Sequence, residues 1–212
     1  NAQKNRTELL PSLASFFNYR HVSCVNGEAD GTKIILEALA ARKYFPAQTN
    51  FYSLMISCMI PSTAAIIPPE GFCIERCRLE HANLLMPLQL AYEKEEVLPT
   101  CRKFDPSVIR FNLERTLRTE YVLAIRTADG KFIAKANTNS IGVNCIQIGG
   151  VYTIPEFRRR KFASLLISCL SYKIINIRRI PVLFVKKENA VAEKLYKTLG
   201  FSPITNYCIA YF

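Results

Sequence analysis

IGGVYTIPEFRRRKFASLLISCL, residues 148–170, gives the clearest structural signal in the chain. An apolar, strand-like segment runs into a basic turn, and the turn opens directly into a segment with helical periodicity. The first backbone N–H groups of such a helix have no partner within the helix, and the helix dipole favours an anion there. The cations at 158–161 are unfavourable at that end unless an anion lies between them. The stretch therefore predicts a phosphate-binding turn, most simply for a diphosphate, with a merely solvated basic helix start as the alternative.

Two adjacent glycines, Gly149 and Gly150, interrupt the strand that precedes this turn. Glycine weakens the interior of a strand and often marks a β-bulge or the close approach of another backbone. A bulge would leave backbone groups of residues 151–153 unpaired, so an extended ligand that contains amides could pair with them as an additional strand. The alternative is tight packing of a neighbouring side chain against the glycines.

Two separate segments resemble the GNAT superfamily of N-acetyltransferases, which use acetyl-coenzyme A. VYTIPEFRRRKFAS, residues 151–164, resembles the pyrophosphate loop and the helix after it, and LFVKKENAVAEKLYKTLGF, residues 183–201, resembles a later strand and helix. The resemblance covers roughly residues 72–212. It implies that a bulged strand pairs with the pantetheine arm and that loop amides bind the pyrophosphate. The family usually has glycine where Lys161 stands, so a side chain crowds this loop.

The resemblance also implies a coenzyme-binding set and a catalytic acid. The residues expected to bind acetyl-CoA are Val151, Tyr152, Thr153, Arg158, Arg159, Arg160, Lys161, Phe162, Ala163, Ser164 and Asn189. Tyr196 matches the tyrosine that protonates the departing thiolate, and a phenol with an ordinary pKa of about 10 suits that leaving group. Asn189 is also placed to cap the helix that follows it.

The general base and the acceptor site carry weaker signals. The family often has a carboxylate on the strand that corresponds to 145–147, and this chain has none there. The resemblance places Glu95 and Glu96, which follow the first helix, in the region that shapes the acceptor site, so they are the first choice for the base. Solvated charges at a helix end are the alternative. We expect Asn137, Asn139 and Gln147 to contact the acceptor, although the asparagines are equally suited to facing solvent.

The remaining periodicity predicts a layered α+β domain. From residue 72 the patterns follow the order β-α-α-β-β-β-α-β-α-β, with a hairpin turn at Asp129-Gly130. The resemblance implies a mixed, mostly antiparallel central sheet flanked by helices over 72–212. Residues 1–70 are predicted to form a smaller N-terminal α+β region, which tandem arrangements in the family suggest is a degenerate GNAT-like half. The uncharged stretch 47–69 is interpreted as two strands, 51–60 and 63–67, rather than a membrane span, because Pro61 divides it.

The charge balance limits the class of partner. Lys and Arg total 28 against 17 acidic residues among 212, and the net charge of +11 favours nucleic acid, an acidic membrane or a phosphate-bearing small molecule. A basic nucleic-acid-binding module is disfavoured because the charge concentrates at one helix start and no nucleic-acid motif is present. The resemblance implies an N-acetyltransferase that transfers an acetyl group from acetyl-CoA to a primary amine. The main alternative is an inactive coenzyme A-binding or sensing domain.

The cysteines and histidines predict no metal site. Cys73 and Cys77 are four residues apart without a matching second pair, and the chain has two histidines among its 212 residues. We expect the eight cysteines to be free, buried thiols in a reducing cytoplasm, with no metal and no membrane partner. The sequence leaves the amine acceptor and the oligomeric state open, a dimer among the options.

Overall fold

Eight strands share one mixed sheet in the computed structural model, which describes residues 2–97 and 104–212. The strands are β1 Cys24–Glu28, β2 Gln48–Ile56, β3 Phe72–Cys77, β4 Val122–Thr127, β5 Phe132–Ile141, β6 Cys145–Thr153, β7 Ile180–Lys186 and β8 Ser202–Tyr211. Their order in the sheet is β1-β8-β2-β7-β6-β5-β4-β3. Only β6 and β7 pair in parallel among these strands. The predicted mixed, mostly antiparallel sheet is confirmed.

Helices cover both faces of this sheet. In the described part of the chain they are α1 Ala2–Phe16, α2 Ala29–Ala40, α3 Ala82–Tyr92, α4 Pro106–Thr119, α5 Phe162–Asn176 and α6 Ala190–Thr198. Successive residues of β4 alternate between two hydrophobic clusters, because side chains of a strand point to opposite faces in turn. Leu123 and Ile125 join the cluster under α5, whereas Val122 and Ala124 join the cluster under α3 and α4.

Local signals in the sequence place several element ends correctly. The side chain of Asp105 accepts hydrogen bonds from the backbone N–H groups of Ser107 and Val108, so it caps α4 ahead of the proline in the first turn. Gly130 has φ +89° in the predicted hairpin turn between β4 and β5. Gly200 has φ +82° after α6, where a left-handed residue ends the helix.

The first 70 residues contribute strands to the same sheet. β2 lies between β7 and β8, and β1 lies at the outer edge against β8. The strand predicted over 63–67 is wrong, because a short 3₁₀ helix, Thr63–Ile66, stands there. Both edges of β2 are already paired, so no edge beside it is free for a further strand. The division of the chain at residue 70 into two domains stays a prediction.

The helices and the cysteine side chains bear on two of the predictions made from the sequence. None of the helices within residues 2–97 and 104–212 is long and apolar enough to cross a membrane. The cysteines of the described residues are free thiols. Cys77 and Cys208 are buried, but Cys58 and Cys73 are exposed, so the expectation of buried thiols is wrong at these two positions. Cys101 lies outside the described residues.

Candidate functional site

The strands β6 and β7 separate halfway along their length. They pair in parallel from Cys145 with Ile180 to Ile148 with Leu183, and the ladder ends there. Beyond that point β7 continues along β2, while β6 continues along β5. The backbone ladder therefore has a gap, here called the opening, at the carboxyl ends of the two parallel strands, and ligands bind at such ends in open sheets of this kind.

A β-bulge shapes the β6 side of this opening. The register pairs Tyr152 with Lys135 and Gly149 with Asn137, so Gly150 and Val151 together oppose a single residue of β5. Gly150 has φ +60°, a left-handed conformation that glycine adopts readily. Because of the extra residue, side chains after the bulge point to the opposite face of the sheet from the one that the alternation before it would give. Ile148 belongs to the cluster under α5, whereas Tyr152 belongs to the cluster under α3. The bulge predicted at the two glycines is confirmed.

Two asparagines of β5 pack against these glycines. A Cβ atom at Gly150 would lie 1.9 Å from Oδ1 of Asn137, and one at Gly149 would lie 2.1 Å from Nδ2 of Asn139. The Asn137 amide is buried and donates to Oδ1 of Asn139 at 2.7 Å. The alternative of tight side-chain packing therefore holds together with the bulge. Contact of either asparagine with an acceptor stays a prediction.

A buried lysine lies beneath the bulge, and sequence reasoning missed it. Lys135 on β5 is 2% exposed, and its Nζ donates to the carbonyl oxygen of Gly150 at 3.1 Å. The same ammonium group lies 4.6 Å from the ring centre of Tyr92. Burial lowers the pKa of Lys135 to about 8, and the charge of Glu93 opposes this shift. The available signal was a charged residue at an inward position of an otherwise apolar strand, FIAKA.

The loop after β6 contains two residues in left-handed backbone conformations. Lys161, the N-cap of α5, has φ +64°, and Arg159 has φ +60°. These are left-handed conformations, which glycine adopts more easily than lysine or arginine. Lys161 thus takes a conformation that suits glycine, the residue that the family pattern usually has at this position. Its side chain makes no capping hydrogen bond, and the first turn of α5 contains no acidic residue.

The predicted loop residues divide into three environments. Arg159 and Lys161 are exposed, whereas Phe162 is 2% exposed and belongs to the core. Ala163 and Ser164 are half-buried in the first turn of α5. The Arg160 guanidinium lies 5.1–5.5 Å from the ring centres of Phe72, Phe157 and Phe162. This aromatic contact anchors Arg160 beside the loop.

Arg158 joins the loop to the chain segment after α3. Its Nε donates to the carbonyl oxygen of Thr153 at 3.0 Å, and its Nη2 lies 2.6 Å from Oε2 of Glu95. The hydroxyl of Tyr152 donates to the same carboxylate oxygen at 3.2 Å. The hydrogen bond from Arg158 holds the pKa of Glu95 below its usual range. Four predicted residues therefore form one cluster at the mouth of the opening: Glu95, Tyr152, Thr153 and Arg158.

Glu95 and Glu96 lie on a π-helical turn, Glu93–Val97, that continues α3. Such turns are frequent at functional sites. Burial raises the pKa of Glu96, the positive charge of Lys186 opposes that shift, and the charge of Glu95 adds to it. Lys186 ends β7, whereas Arg158 follows β6. The turn thus spans the mouth of the opening, with Glu95 on the β6 side and Glu96 toward β7.

The two predicted residues from the second resembling segment lie on α6 and at its start. Tyr196 is 8% exposed, and burial, followed by the charge of Glu96, raises its pKa to about 12. Asn189 accepts a hydrogen bond from the backbone N–H of Ala192 at 3.0 Å, so its predicted capping role is confirmed. Its contact with the coenzyme stays a prediction.

Gln147 is the predicted site residue that lies away from the opening. It pairs with Ser140 on one side and Val182 on the other, within the part of β6 where the sheet is still continuous. Two tyrosines near the opening were not predicted. Tyr92 contacts Lys135, and burial raises its pKa. The pKa of Tyr52 on β2 is raised mainly by burial, and the charge of Glu96 contributes.

The chain is similar to one sequence family and to several proteins of known structure. Residues 126–210 match the family described as FR47-like protein. None of the curated proteins matches the chain. A Drosophila structure has a TM-score of 0.67 at 19% identity and is matched over 89% of this chain and 59% of its own length. An acetyltransferase of the GNAT family from Colwellia psychrerythraea has a TM-score of 0.62 at 12% identity, over 99% of this chain and 73% of its own.

A third structure, from Novosphingobium aromaticivorans and assigned to the GNAT family, has a TM-score of 0.58 at 21% identity. The match covers 78% of this chain and 65% of that protein. The chain thus spans less than two thirds of the length of the Drosophila and Novosphingobium proteins. At these identities the likeness establishes the fold, and the predicted GNAT-like architecture is confirmed.

Proposed function

Because the chain has the GNAT fold and contains an FR47-like, GNAT-related domain over residues 126–210, we propose that it is an acetyl-CoA-dependent N-acetyltransferase. The acceptor is a primary amine, which attacks the thioester directly. The observation that carries this proposal is the opening between β6 and β7. Strand β6 is bulged at Gly150 beside this opening, and the loop that follows it has left-handed residues just before α5.

The backbone around the opening suits the two ends of the coenzyme. The residues of β6 beyond the bulge, 151–153, would pair with the pantetheine arm as a strand pairs with its neighbour. The free N–H groups at the start of α5 would receive the pyrophosphate, where the helix dipole favours negative charge. The exposed cations Arg159 and Lys161 add positive charge at that point. The residues present therefore fit acetyl-CoA.

Tyr196 and Glu96 are proposed to move the protons. The amine nitrogen attacks the thioester carbon, the carbon–sulfur bond breaks, and the sulfur takes a proton from the Tyr196 hydroxyl. That hydroxyl is protonated at neutral pH, as for an ordinary tyrosine, and burial raises its pKa further, to about 12. Glu96 accepts the amine proton, directly or through water, and its raised pKa suits a general base. Glu95 is less suited because Arg158 holds its pKa low.

Calorimetry and turnover test the proposal together. We expect the intact protein to bind coenzyme A and to release it from acetyl-CoA in the presence of members of a panel of primary amines. Ala163→Asp should weaken binding at least tenfold, because its carboxylate would repel the phosphates at the start of α5. Ala47→Asp is the matched control, since Ala47 is exposed and precedes β2.

Three results would contradict the proposal in different ways. Absence of coenzyme A binding would reject both the transferase and the inactive coenzyme A-binding alternative. Binding without turnover across the amine panel would favour that alternative. Stabilisation by an oligonucleotide but not by coenzyme A would favour a nucleic-acid-binding module.

A further inference from the structure

We propose that Lys135 is a positioning residue that fixes and polarises the peptide unit between Gly150 and Val151, the unit that faces the acetyl donor. The inference rests on the proposed function, which places the donor at the opening between β6 and β7. Three observations carry it: the burial of Lys135, its 3.1 Å hydrogen bond to the Gly150 carbonyl, and the position of that bond within the bulge.

Packing alone does not explain a charged side chain at position 135. Lys135 stands between Ala134 and Ala136, both fully buried, and beneath the ring of Tyr92. Burying an ammonium group costs free energy, and an apolar side chain of similar length would fill the same space without that cost. The ammonium group does supply a hydrogen-bond donor to the Gly150 carbonyl, which an apolar side chain lacks.

That donor acts where the sheet ladder skips a residue. The pairing of β5 with β6 passes over Gly150 and Val151, so the backbone there lacks the regular cross-strand register. Lys135 restores a cross-strand hydrogen bond at this place by reaching from β5 to the Gly150 carbonyl. The carbonyl is thereby held toward the interior beneath α3, where Tyr92 lies.

Holding the carbonyl also sets the direction and strength of one N–H group. The carbonyl of Gly150 and the N–H of Val151 belong to one planar, trans peptide unit and point in opposite directions. A cation that donates to the carbonyl draws electrons from the unit and strengthens the N–H as a donor. The Val151 N–H is proposed to bind an acceptor oxygen of the donor, either a pantetheine amide or the thioester carbonyl. Negative charge develops on the thioester carbonyl oxygen as the amine attacks.

The experiment compares Lys135→Met with Lys33→Met in the full chain. Lys33 is an exposed lysine on α2, so its replacement controls for loss of a positive charge. We expect Lys135→Met to fold with an unfolding temperature equal to or above that of the unaltered protein. Its kcat/KM for acetyl-CoA should fall at least tenfold, mainly in kcat if the thioester carbonyl is the partner. Lys135→Gln, which keeps a neutral N–H donor, should recover part of the loss.

A spectroscopic signature separates positioning from packing. The amide proton of Val151 should move upfield in Lys135→Met, because the peptide unit loses its cationic partner, and should not move in Lys33→Met. A folded Lys135→Met protein with unchanged kcat/KM would overturn the inference, as would an unshifted Val151 amide. If the methionine variant does not fold, Lys135→Gln is measured instead, and unchanged kinetics there would overturn it equally. Failure of the unaltered protein to bind coenzyme A would reject the proposed function, and the Val151 shift would still test the contact.

Discussion

The two halves of β6 differ in what surrounds them, although they belong to one strand. From Ile146 to Ile148 the strand pairs on both sides, with β5 and with β7. From Gly149 to Thr153 it is bulged toward β5 and its ladder with β7 has ended. The first half stabilises the sheet, whereas the second half presents backbone groups to an opening.

The difference shows how a small change in sequence converts a sheet strand into a candidate binding edge. Because the glycines have no side chains, Asn137 and Asn139 can pack against them, and the left-handed φ of Gly150 allows the strand to form the bulge. The bulge then turns Tyr152 toward the α3 side, where it reaches Glu95. Backbone geometry at two positions thus places both the strand edge and the side chains around it.

The largest expected effect comes from removing the bulge with Gly150→Ala. The new Cβ would lie 1.9 Å from Oδ1 of Asn137 and 3.1 Å from Nζ of Lys135, at a φ of +60°. Left-handed strain and overpacking together should lower the free energy of unfolding by about 3 kcal/mol. Coenzyme A binding should weaken at least a hundredfold. Chemical denaturation and calorimetry measure the two effects.

Gly130→Ala is the control that separates backbone strain from side-chain crowding in the effect of Gly150→Ala. Gly130 also has a positive φ, +89°, but its Cβ position has no neighbour within 4 Å among residues 2–97 and 104–212. Its replacement should cost about 1 kcal/mol from strain alone and leave coenzyme A binding unchanged. Equal losses in the two variants would show that the packing of Asn137 and Lys135 around the bulge does not matter.

The sequence predicts this part of the molecule well because its signals are local. Paired glycines in a strand, a basic turn and an apolar helix each act within a few residues, and the structure has a bulge, a loop and α5 in those places. The left-handed conformation of Lys161 could not be predicted from the residue type, because lysine rarely adopts a positive φ. The family pattern, which usually has glycine there, led only to the expectation that a side chain crowds the loop.

Contacts between distant segments were harder to predict. β1 and β2 join the sheet only because β7 and β8 offer free edges, and nothing within residues 24–28 or 48–56 indicates those partners. Lys135 was missed for the same reason: its carbonyl partner lies 15 residues further along the chain. Glu95 and Glu96 were chosen from the resemblance, and their separate environments depend on Arg158 and Lys186.

Tyr196→Phe, on α6, should separate the chemical step from coenzyme binding. Tyr196 is buried, so the loss of its hydroxyl should leave coenzyme A affinity within about twofold. The turnover number should fall about a hundredfold, the usual range for loss of a general acid. Steady-state kinetics and calorimetry on the same samples measure both. Tyr19→Phe, at a tyrosine that is 99% exposed, is the control, and a parallel loss of affinity would contradict the acid role.

Glu96→Gln should change the pH dependence of the reaction. Because burial raises the pKa of Glu96, its base form is lost as the pH falls through a value above the ordinary glutamate range, about 4.3. We therefore expect kcat/KM of the unaltered protein to rise with pH through this region. The glutamine variant should lack this rise and be about tenfold slower on its alkaline side. The amine's own ionisation cancels in the comparison. If Glu95→Gln abolishes the rise instead, Glu95 is the base.

The smallest expected effect comes from Lys161→Gly, which restores the residue type that the family pattern has at this turn. Glycine relieves the strain of a φ of +64°, worth about 1 kcal/mol, but raises the entropy of the unfolded chain by a similar amount. The free energy of unfolding should therefore change by less than about 0.5 kcal/mol. Coenzyme A affinity should stay level or rise up to about threefold, because the loop amides remain and the side chain no longer crowds them. Arg178→Gly provides the matched control at a left-handed residue beyond the end of α5, with φ +57°. A tenfold loss of affinity confined to Lys161→Gly would show that the ammonium group, rather than the backbone of the loop, holds the phosphates.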